Sequence, residues 1–307
     1  MSSKQLVRLA AILGVLLLVW GAAALARRQE DAPASRSAFR LPPLARSAVD
    51  TVRFRQGSDT TALARKDSST WTVNGRPASP KDVTELLSAL ADTAVGSELV
   101  AERRSSHPGF GVDSAGGTRV EVKGTGRTFA NLVVGRRSQD YSGGYVRHAD
   151  QEATYLLRGQ LVELVTRPAE EWRDRRIAQV LPDSVARVEV SRGARRYVLS
   201  RQGKNWVFSH GARADSARAA ELMTAYQAVE ASGFASPAEA KSARFSSPDR
   251  RVRLLRKDGT PLVTLLFDST ATGFWVRPDT GKTVYKMENW TADQLTPADS
   301  SLRAKGK

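Results

Sequence analysis

The feature that most constrains the fold of this chain is an internal repeat of domain size. Residues 49–54 lead along the chain to Trp71-Thr-Val73, and residues 185–190 lead in the same order to Trp206-Val-Phe208. In both copies the match continues through an amphipathic segment and several later strands. A repeat this long predicts two copies of one small domain rather than a solenoid of short repeats.

The composition limits the chemistry that the chain can perform. With 307 residues, it is long enough for two domains that each bury a core. It contains no cysteine, which excludes disulfides, thiolate catalysis and cysteine-ligated zinc. The formal net charge of +15 favours attraction to anionic surfaces, without identifying one of them.

One apolar segment precedes both copies. Residues 9–26 carry no charge, and at about 1.5 Å rise per residue a helix of this length nearly crosses a bilayer core of about 30 Å. The alternative is a cleavable signal peptide, because Lys4 and Arg8 precede the run and Ala24-Leu25-Ala26 has the pattern of a cleavage site. We favour a retained anchor over residues 1–28, since the apolar run extends through that pattern. Such an anchor predicts a single-pass protein of the inner (cytoplasmic) membrane, with the bulk of the chain extracytoplasmic.

The chain after the apolar segment divides into a tether and two repeats. Residues 29–47 have no periodicity and are predicted to form a flexible tether. Residues 48–180 and 181–303 are predicted to be repeat domains 1 and 2. In the first of them, alternating apolar residues and the Asn74-Gly75 pair predict an antiparallel meander with a tight turn.

Each copy then changes to the spacing of an amphipathic helix. Ser79 and Asp215 are the candidate N-caps, and Pro80 suits a first helical position. The apolar stripes are predicted core faces, formed by Val83, Leu86, Leu87, Leu90 and Ala94 in the first copy and by Ala219, Leu222, Met223, Tyr226 and Val229 in the second. Short strands follow without βαβ alternation. The predicted fold class is therefore α+β, with an N-terminal single transmembrane helix followed by two tandem repeats of an antiparallel-sheet-plus-helix domain.

Several short motifs occur in a fixed order along the chain. Leu86-Leu87-Ser-Ala-Leu90 lies on the first helix, Phe110-Gly-Val-Asp113 follows it, and Trp172-Arg-Asp-Arg-Arg-Ile177 closes the first copy. With the apolar segment and the Trp71 hairpin, they resemble the domain of unknown function 4340 family, whose members resemble auxiliary components of gliding-motility-type ABC transport systems. The resemblance covers nearly the whole chain. It implies an extracytoplasmic domain pair beside an ABC permease and its partner proteins, and it carries over no catalytic residue.

The residues themselves carry no pattern for catalysis or metal binding. His107, His148 and His210 lie far apart, and none has a metal-ligating partner at helical spacing. The densest carboxylates lie within residues 170–174, where neighbouring arginines favour their charged forms and so disfavour the raised pKa of an acid catalyst. We therefore predict that the protein is not an enzyme and uses no cofactor or metal.

Basic residues cluster on predicted strands. The two clusters are Arg192, Arg195, Arg196 and Arg201, and Arg250, Arg251, Arg253, Arg256 and Lys257. Nucleic-acid binding would add exposed aromatic side chains, but Trp206 and Phe208 belong to a half-buried hairpin, so nucleic acid is not a predicted partner. Solvated strand faces are the first interpretation. Attraction to anionic lipid headgroups or to an envelope polymer is the second.

One run of residues is predicted to contact a partner or to join the two domains. It consists of Trp172, Arg173, Asp174, Arg175 and Arg176, shortly before the second copy. Combined with these observations, the family resemblance implies a membrane-anchored, non-enzymatic accessory component of an ABC-type transport or gliding-motility system, with an ABC permease or auxiliary protein as its partner. The alternative is an envelope-facing binding protein for an anionic polymer or headgroups.

Overall fold

The computed structural model describes residues 39–41, 43–92 and 95–304. The chain divides into two compact units, and the division lies between Arg173 and Asp174. The sequence pattern had predicted that boundary after residue 180. The segment 174–180 is therefore grouped with the second unit, and each unit is described by itself below.

The first unit is built on one antiparallel sheet of nine strands. The strands are β1 Thr51–Gln56, β2 Asp59–Arg65, β3 Trp71–Val73, β4 Arg76–Pro77, β5 Ser97–Ala101, β6 Thr118–Gly124, β7 Arg127–Arg137, β8 Gly143–His148 and β9 Thr154–Arg158. Their order across the sheet is β4-β3-β2-β1-β6-β7-β8-β9-β5. The helices are α1 Pro80–Ala91, α2 His107–Phe110 and α3 Leu161–Val165, with 3-10 turns at Arg46–Ala48, Arg104–Ser106 and Ala169–Trp172.

The first hairpins form where the sequence predicted them. Val52 and Phe54 on β1 alternate with exposed or half-buried residues and point into the core, as period-2 patterning requires. Asn74 and Gly75 join β3 to β4 with φ angles of 47° and 76°. Positive φ at both central residues is the requirement of the tight hairpin turn that Asn-Gly favours, so the predicted turn is confirmed.

Helix α1 packs its apolar stripe on the sheet. The Ser79 Oγ accepts a hydrogen bond from the Asp82 amide at 3.3 Å, and Pro80 occupies the start of the helix. Both features satisfy or remove amide donors that a helix N-terminus leaves unpaired. The predicted cap is therefore confirmed, and the buried stripe consists of Val83, Leu86, Leu87 and Leu90, while Ala94 of the predicted stripe lies outside the described residues.

The described part of the predicted tether belongs to the first unit. Phe39 and Leu41 are 5% and 4% exposed and lie in its core. The Phe39 ring stacks on His148 with centroids 4.6 Å apart. The two side chains enter the core singly, which requires no repeating apolar pattern. This explains why residues 39–47 show no periodicity.

The second unit is built on an antiparallel sheet of eight strands and a separate two-stranded ladder. The strands are β10 Arg176–Ala178, β11 Arg187–Arg192, β12 Arg195–Gln202, β13 Asn205–Phe208, β14 Val229–Glu230, β15 Gly233–Phe234, β16 Arg250–Leu255, β17 Pro261–Ser269, β18 Gly273–Pro278 and β19 Tyr285–Glu288. The large sheet has the order β13-β12-β11-β16-β17-β18-β19-β15, and β10 pairs with β14. The helices are α4 Ser216–Ala225, α5 Pro237–Ser242, α6 Asn289–Leu295 and α7 Asp299–Leu302, with a 3-10 turn at Pro182–Ser184.

The internal repeat is visible in matching backbone hydrogen bonds. The Ala78 amide donates to the Trp71 carbonyl at 2.9 Å, and the Ala214 amide donates to the Trp206 carbonyl at the same distance. The residue that caps the long helix is also held in the same way in both units. The Ser79 amide donates to the Trp172 carbonyl at 2.8 Å, as the Asp215 amide does to the Leu302 carbonyl. The two tryptophans of the repeat therefore occupy equivalent positions.

The repeat also contains a cross-strand ion pair with its charges exchanged. On the outer face of the first sheet, Arg53 of β1 lies opposite Glu121 of β6, with an N–O distance of 3.8 Å. At the equivalent place in the second sheet, Glu189 of β11 lies opposite Arg253 of β16 at 3.1 Å. Opposite charges suit this position, because like charges on directly paired strands repel, and the two units place the positive charge on different strands.

We expect the substitution Arg53→Glu to lower the free energy of unfolding by about 1 kcal/mol, because it places two carboxylates opposite each other. The double substitution Arg53→Glu with Glu121→Arg restores the charge order that the second unit uses, and we expect it to recover most of that loss. Urea unfolding of the three proteins measures both effects. A double variant no more stable than Arg53→Glu would contradict the interpretation.

The predicted fold class and location require correction. Both units are dominated by large antiparallel sheets with few, short helices, because the strands that follow each long helix extend the sheet instead of forming a separate layer. The predicted transmembrane helix, residues 9–26, lies outside the described residues. Within the described residues, every helix is too short or too polar to cross a membrane. The predicted single-pass location in the inner membrane is therefore withdrawn, together with the helix on which it rested.

Candidate functional site

The predicted contact run divides between the two units. Trp172 and Arg173 belong to the first unit, and Asp174, Arg175 and Arg176 belong to the second. Trp172 is completely buried in the core of the first unit, where its ring lies 5.7 Å from that of Phe54. Its side chain is a core element and is not available to a partner.

The charged residues of this run are held by local contacts. Arg173 forms an ion pair with Glu170 at 3.3 Å. The Asp174 Oδ1 accepts a hydrogen bond from the Arg176 amide at 2.9 Å, and the Arg176 Nη1 donates to the Gln179 side chain at 3.0 Å. The Arg175 carbonyl accepts from the Ala231 amide at 2.9 Å. Contact with a partner through these residues stays a prediction.

The three histidines occupy separate structural positions. His107 is buried, and its Nε2 lies 2.7 Å from the Glu152 carbonyl oxygen. His148 is half-buried against Phe39, and the His210 Nδ1 accepts a hydrogen bond from the Ala212 amide at 3.5 Å. No group of three or more metal-ligating side chains occurs within the described residues.

We expect His148 to make the stability of the first unit depend on pH. Burial lowers the pKa of His148 below its usual 6.5, with the nearby Asp150 opposing the shift. The unfolded chain then binds the proton more readily, so this contribution is fully present above pH 6.5 and is lost as the pH falls below it. Urea unfolding of wild type and His148→Gln from pH 8 to pH 5 tests this. An equal slope in the two proteins would contradict it.

The basic residues of the second unit point to both sides of its sheet. Arg192 and Arg250 have the same strand parity as the buried Val190 and Val252, and therefore point to the helix-covered side. There they converge on Asp293 of α6, with N–O distances of 3.0 and 2.7 Å. The first interpretation of both basic clusters was solvated strand faces, so neither the convergence of Arg192 and Arg250 nor their shared partner Asp293 was predicted.

A cleft of about 600 Å³ opens at this end of the second sheet. Its lining residues come from the β11–β12 hairpin and from the chain that leads into α7: Arg192, Arg195, Arg196, Tyr197, Ala298 and Asp299. Arg195 and Arg196 are exposed. Within the part of the chain that the structure describes, neither guanidinium forms an ion pair or a side-chain hydrogen bond.

Asp299 is paired chiefly with an arginine at the end of α7. Its Oδ2 accepts a hydrogen bond from the Arg303 Nη2 at 2.6 Å. That hydrogen bond, with a smaller contribution from the charge of Arg195, lowers the pKa of Asp299 below its usual value. Asp299 is therefore ionised at neutral pH and is paired with Arg303, so the cleft keeps an excess of positive charge.

Tyr197 joins the two walls of the cleft. Its hydroxyl donates a hydrogen bond to the Pro297 carbonyl at 2.8 Å, and its ring makes an edge contact with Phe208 at 5.9 Å. Burial raises the pKa of Tyr197 well above its usual value, which keeps the hydroxyl neutral and able to donate. Sequence reasoning missed this residue because its acceptor lies a hundred positions away along the chain.

We expect Tyr197→Phe to lower the free energy of unfolding by about 1 kcal/mol, because it removes this hydrogen bond and keeps the ring. The matched control is Tyr141→Phe, because Tyr141 is 75% exposed. This substitution should have no measurable effect on the free energy of unfolding. Urea unfolding compares the two. Equal midpoints for both variants would show that the hydroxyl does not hold the hairpin to the α7 segment.

A family model described as Domain of unknown function (DUF4340) matches residues 71–248, which is more than half of the chain. The chain belongs to this family. The DUF4340 match begins on β3 of the first unit and ends in the second, so it includes parts of both units. It contains Arg192, Arg195, Arg196 and Tyr197 but ends before Ala298 and Asp299. No curated protein and no solved structure matches the chain.

Proposed function

We propose that this DUF4340 protein is a non-enzymatic accessory component of an ABC-type transport or gliding-motility system, in which it binds a partner protein. Its family membership supports this proposal, since members of the family resemble auxiliary components of such systems. The roles of its histidines support it as well. His107, His148 and His210 each make contacts within the fold, and none of them faces a grouping suited to acid–base or nucleophilic chemistry in the described residues.

The observation that carries the proposal is the exposed β11–β16 part of the outer face of the second sheet, beside the part of that face where Phe245 and Leu266 are buried. Arg187 and Arg253 flank Glu189 there, with N–O distances of 2.9 and 3.1 Å, and Arg251 lies exposed on the neighbouring rung. One carboxylate thus lies among three arginines. Such a face complements an acidic surface on a permease or auxiliary protein, because matched potentials steer association and select the partner.

The proposal predicts that an ABC permease and ATPase are encoded beside this chain, and cross-linking of the full chain produced together with such neighbours tests it. We expect one of these proteins to be recovered with wild type and to be lost with Arg251→Glu. Arg218→Glu is the matched control, because Arg218 is exposed on α4, away from the strands, and forms an ion pair with Glu221 of the same helix at 2.9 Å. Recovery of no ABC component with wild type would overturn the proposal. Equal recovery with both variants would exclude the outer face as the contact.

A second function, binding of an anionic polymer, is favoured by the same excess of arginines. Retention on dextran sulfate, with neutral dextran as the control, measures it. This function predicts retention that falls steeply with salt and is lost in Arg251→Glu but not in Arg218→Glu. That result, combined with no recovery of an ABC component, would replace the first proposal by the second.

A further inference from the structure

The outer face of the first sheet carries two arginines directly opposite each other. Arg55 of β1 pairs with Arg119 of β6. Both side chains are exposed, and they share the strand parity of the ion pair between Arg53 and Glu121, so they point to the same side of the sheet. Directly opposite residues of an antiparallel pair have Cβ atoms about 5 Å apart. The register therefore brings the two guanidinium groups within reach of one small ligand.

This pairing of like charges is unfavourable without an anion, because like charges opposite each other on paired strands destabilise a sheet. Within the part of the first unit that the structure describes, Arg55 forms no ion pair and no side-chain hydrogen bond. Glu121 lies nearby on the same face, but the hydrogen bond and charge of Lys123 lower its pKa most, and the charge of Arg119 contributes least. Glu121 is therefore engaged mainly by Lys123 and leaves both arginines short of negative charge.

The surroundings of Arg119 orient its donors and add positive charge. The Asn131 Oδ1 accepts a hydrogen bond from the Arg119 Nε at 3.1 Å, which fixes the guanidinium plane and leaves Nη1 and Nη2 for a ligand. Arg147 lies level with Arg119, two strands away. Burial lowers the pKa of Arg147 most, followed by the charges of Arg104 and Arg119, and Asp113 opposes the shift. Positive charge therefore accumulates around Arg119.

The second unit lacks this arginine pair at the equivalent place. Arg251 of β16 takes the position of Arg119, two residues before the member of the cross-strand ion pair on that strand. The residue opposite Arg251 on β11 is Ser191, where the first unit has Arg55. The same strand pairing forms with a serine at this place, so folding does not require two arginines there.

We propose that Arg55 and Arg119 bind a doubly charged phosphate group between them. Guanidinium groups bind phosphate through paired N–H donors, and one phosphate has enough acceptor oxygens for two arginines. A phosphate monoester carries about two negative charges at neutral pH and so offsets both arginines, whereas a carboxylate offsets one. Inorganic phosphate and a lipid headgroup both supply this chemistry. The site lies on a different unit from the proposed partner-binding face, so failure of either proposal leaves the other standing.

NMR of the full chain, labelled at its arginine side chains and titrated with inorganic phosphate at constant ionic strength, tests the proposal. We expect the guanidinium signals of Arg55 and Arg119 to shift saturably, and acetate to shift them much less. Arg55→Ser reproduces the arrangement of the second unit and should weaken phosphate binding about tenfold or more, because hydrogen bonds to a charged group are lost. The matched control is Arg76→Ser, which removes an exposed arginine at the far edge of the same sheet and should bind as wild type does.

Vesicle flotation separates the two sources of phosphate. Phosphatidylcholine vesicles that contain phosphatidic acid present the group on a lipid, and vesicles without it are the blank. Binding to the phosphatidic acid vesicles that is lost in Arg55→Ser and kept in Arg76→Ser assigns the site to a headgroup, and the same dependence with inorganic phosphate alone assigns it to the free ion. The proposal is overturned if wild type binds neither probe, or if Arg55→Ser binds both probes as Arg76→Ser does.

Discussion

The substitution Trp172→Ala is expected to lower the free energy of unfolding of the first unit by about 3 to 5 kcal/mol. Trp172 is completely buried, and its truncation leaves a cavity beside Phe54 and the other residues of that core. The effect belongs to the core of one unit and requires no change at the charged residues that follow. Differential scanning calorimetry of the full chain, which resolves separate transitions, measures it.

Two further substitutions test whether the loss of stability comes from packing of the Trp172 ring. The indole Nε1 of Trp172 has no hydrogen-bond partner within the described residues, so Trp172→Phe loses packing area alone and should cost clearly less than Trp172→Ala. Arg175→Ala removes an exposed side chain and should change stability by no more than about 0.5 kcal/mol. Equal transition temperatures for Trp172→Ala and Arg175→Ala would contradict the placement of the tryptophan in the core.

The substitution Gly124→Ala is expected to destabilise the first unit by about 3 kcal/mol or more. A Cβ atom at Gly124 would lie 1.8 Å from the carbonyl oxygen of Ala48 and 2.9 Å from the amide nitrogen of Asp50. Both are backbone atoms, so the clash is relieved only by moving the chain that leads into β1. Since the Asp50 amide donates to the Lys123 carbonyl at 2.9 Å, that movement also breaks a strand contact.

The matched control for this prediction is Gly109→Ala in the same unit. No atom lies within 4 Å of the Cβ position at Gly109, which lies on α2 and has no positive φ. Alanine is favoured over glycine in a helix, so Gly109→Ala should be neutral or stabilising by up to about 1 kcal/mol. A Gly124→Ala protein as stable as Gly109→Ala would show that Ala48 is not packed on the β6 strand.

Local patterns predicted the elements of this fold well. The turn at Asn74 and Gly75, the cap at Ser79 and the apolar stripe of α1 follow from short-range sequence rules, and the structure contains all three. Asp215 likewise caps α4 by accepting amide hydrogen bonds from Ala217 and Arg218. These features are set by residues within a few positions of one another, so they can be predicted from a single sequence.

Long-range features could not be predicted in this way. Trp172 lies among charged residues and therefore resembled part of a linker, yet its burial depends on Phe54, more than a hundred positions earlier. The cleft was not predicted from the sequence for the same reason. Its arginines were recognised as a cluster, but Asp293, Pro297 and Asp299 come from the far end of the chain. Pairing of distant segments is not encoded in any local pattern.

The central claim is that the protein contacts its partner through the outer face of the second sheet and not through the run from Trp172 to Arg176. The most direct test is cross-linking of the full chain, carrying a photoreactive residue in place of either Arg251 or Arg175, in the presence of an ABC permease and its auxiliary proteins. Both arginines are exposed, so each position is accessible. We predict a cross-link to one of these proteins from position 251 and none from position 175. A cross-link from position 175 alone would contradict the claim.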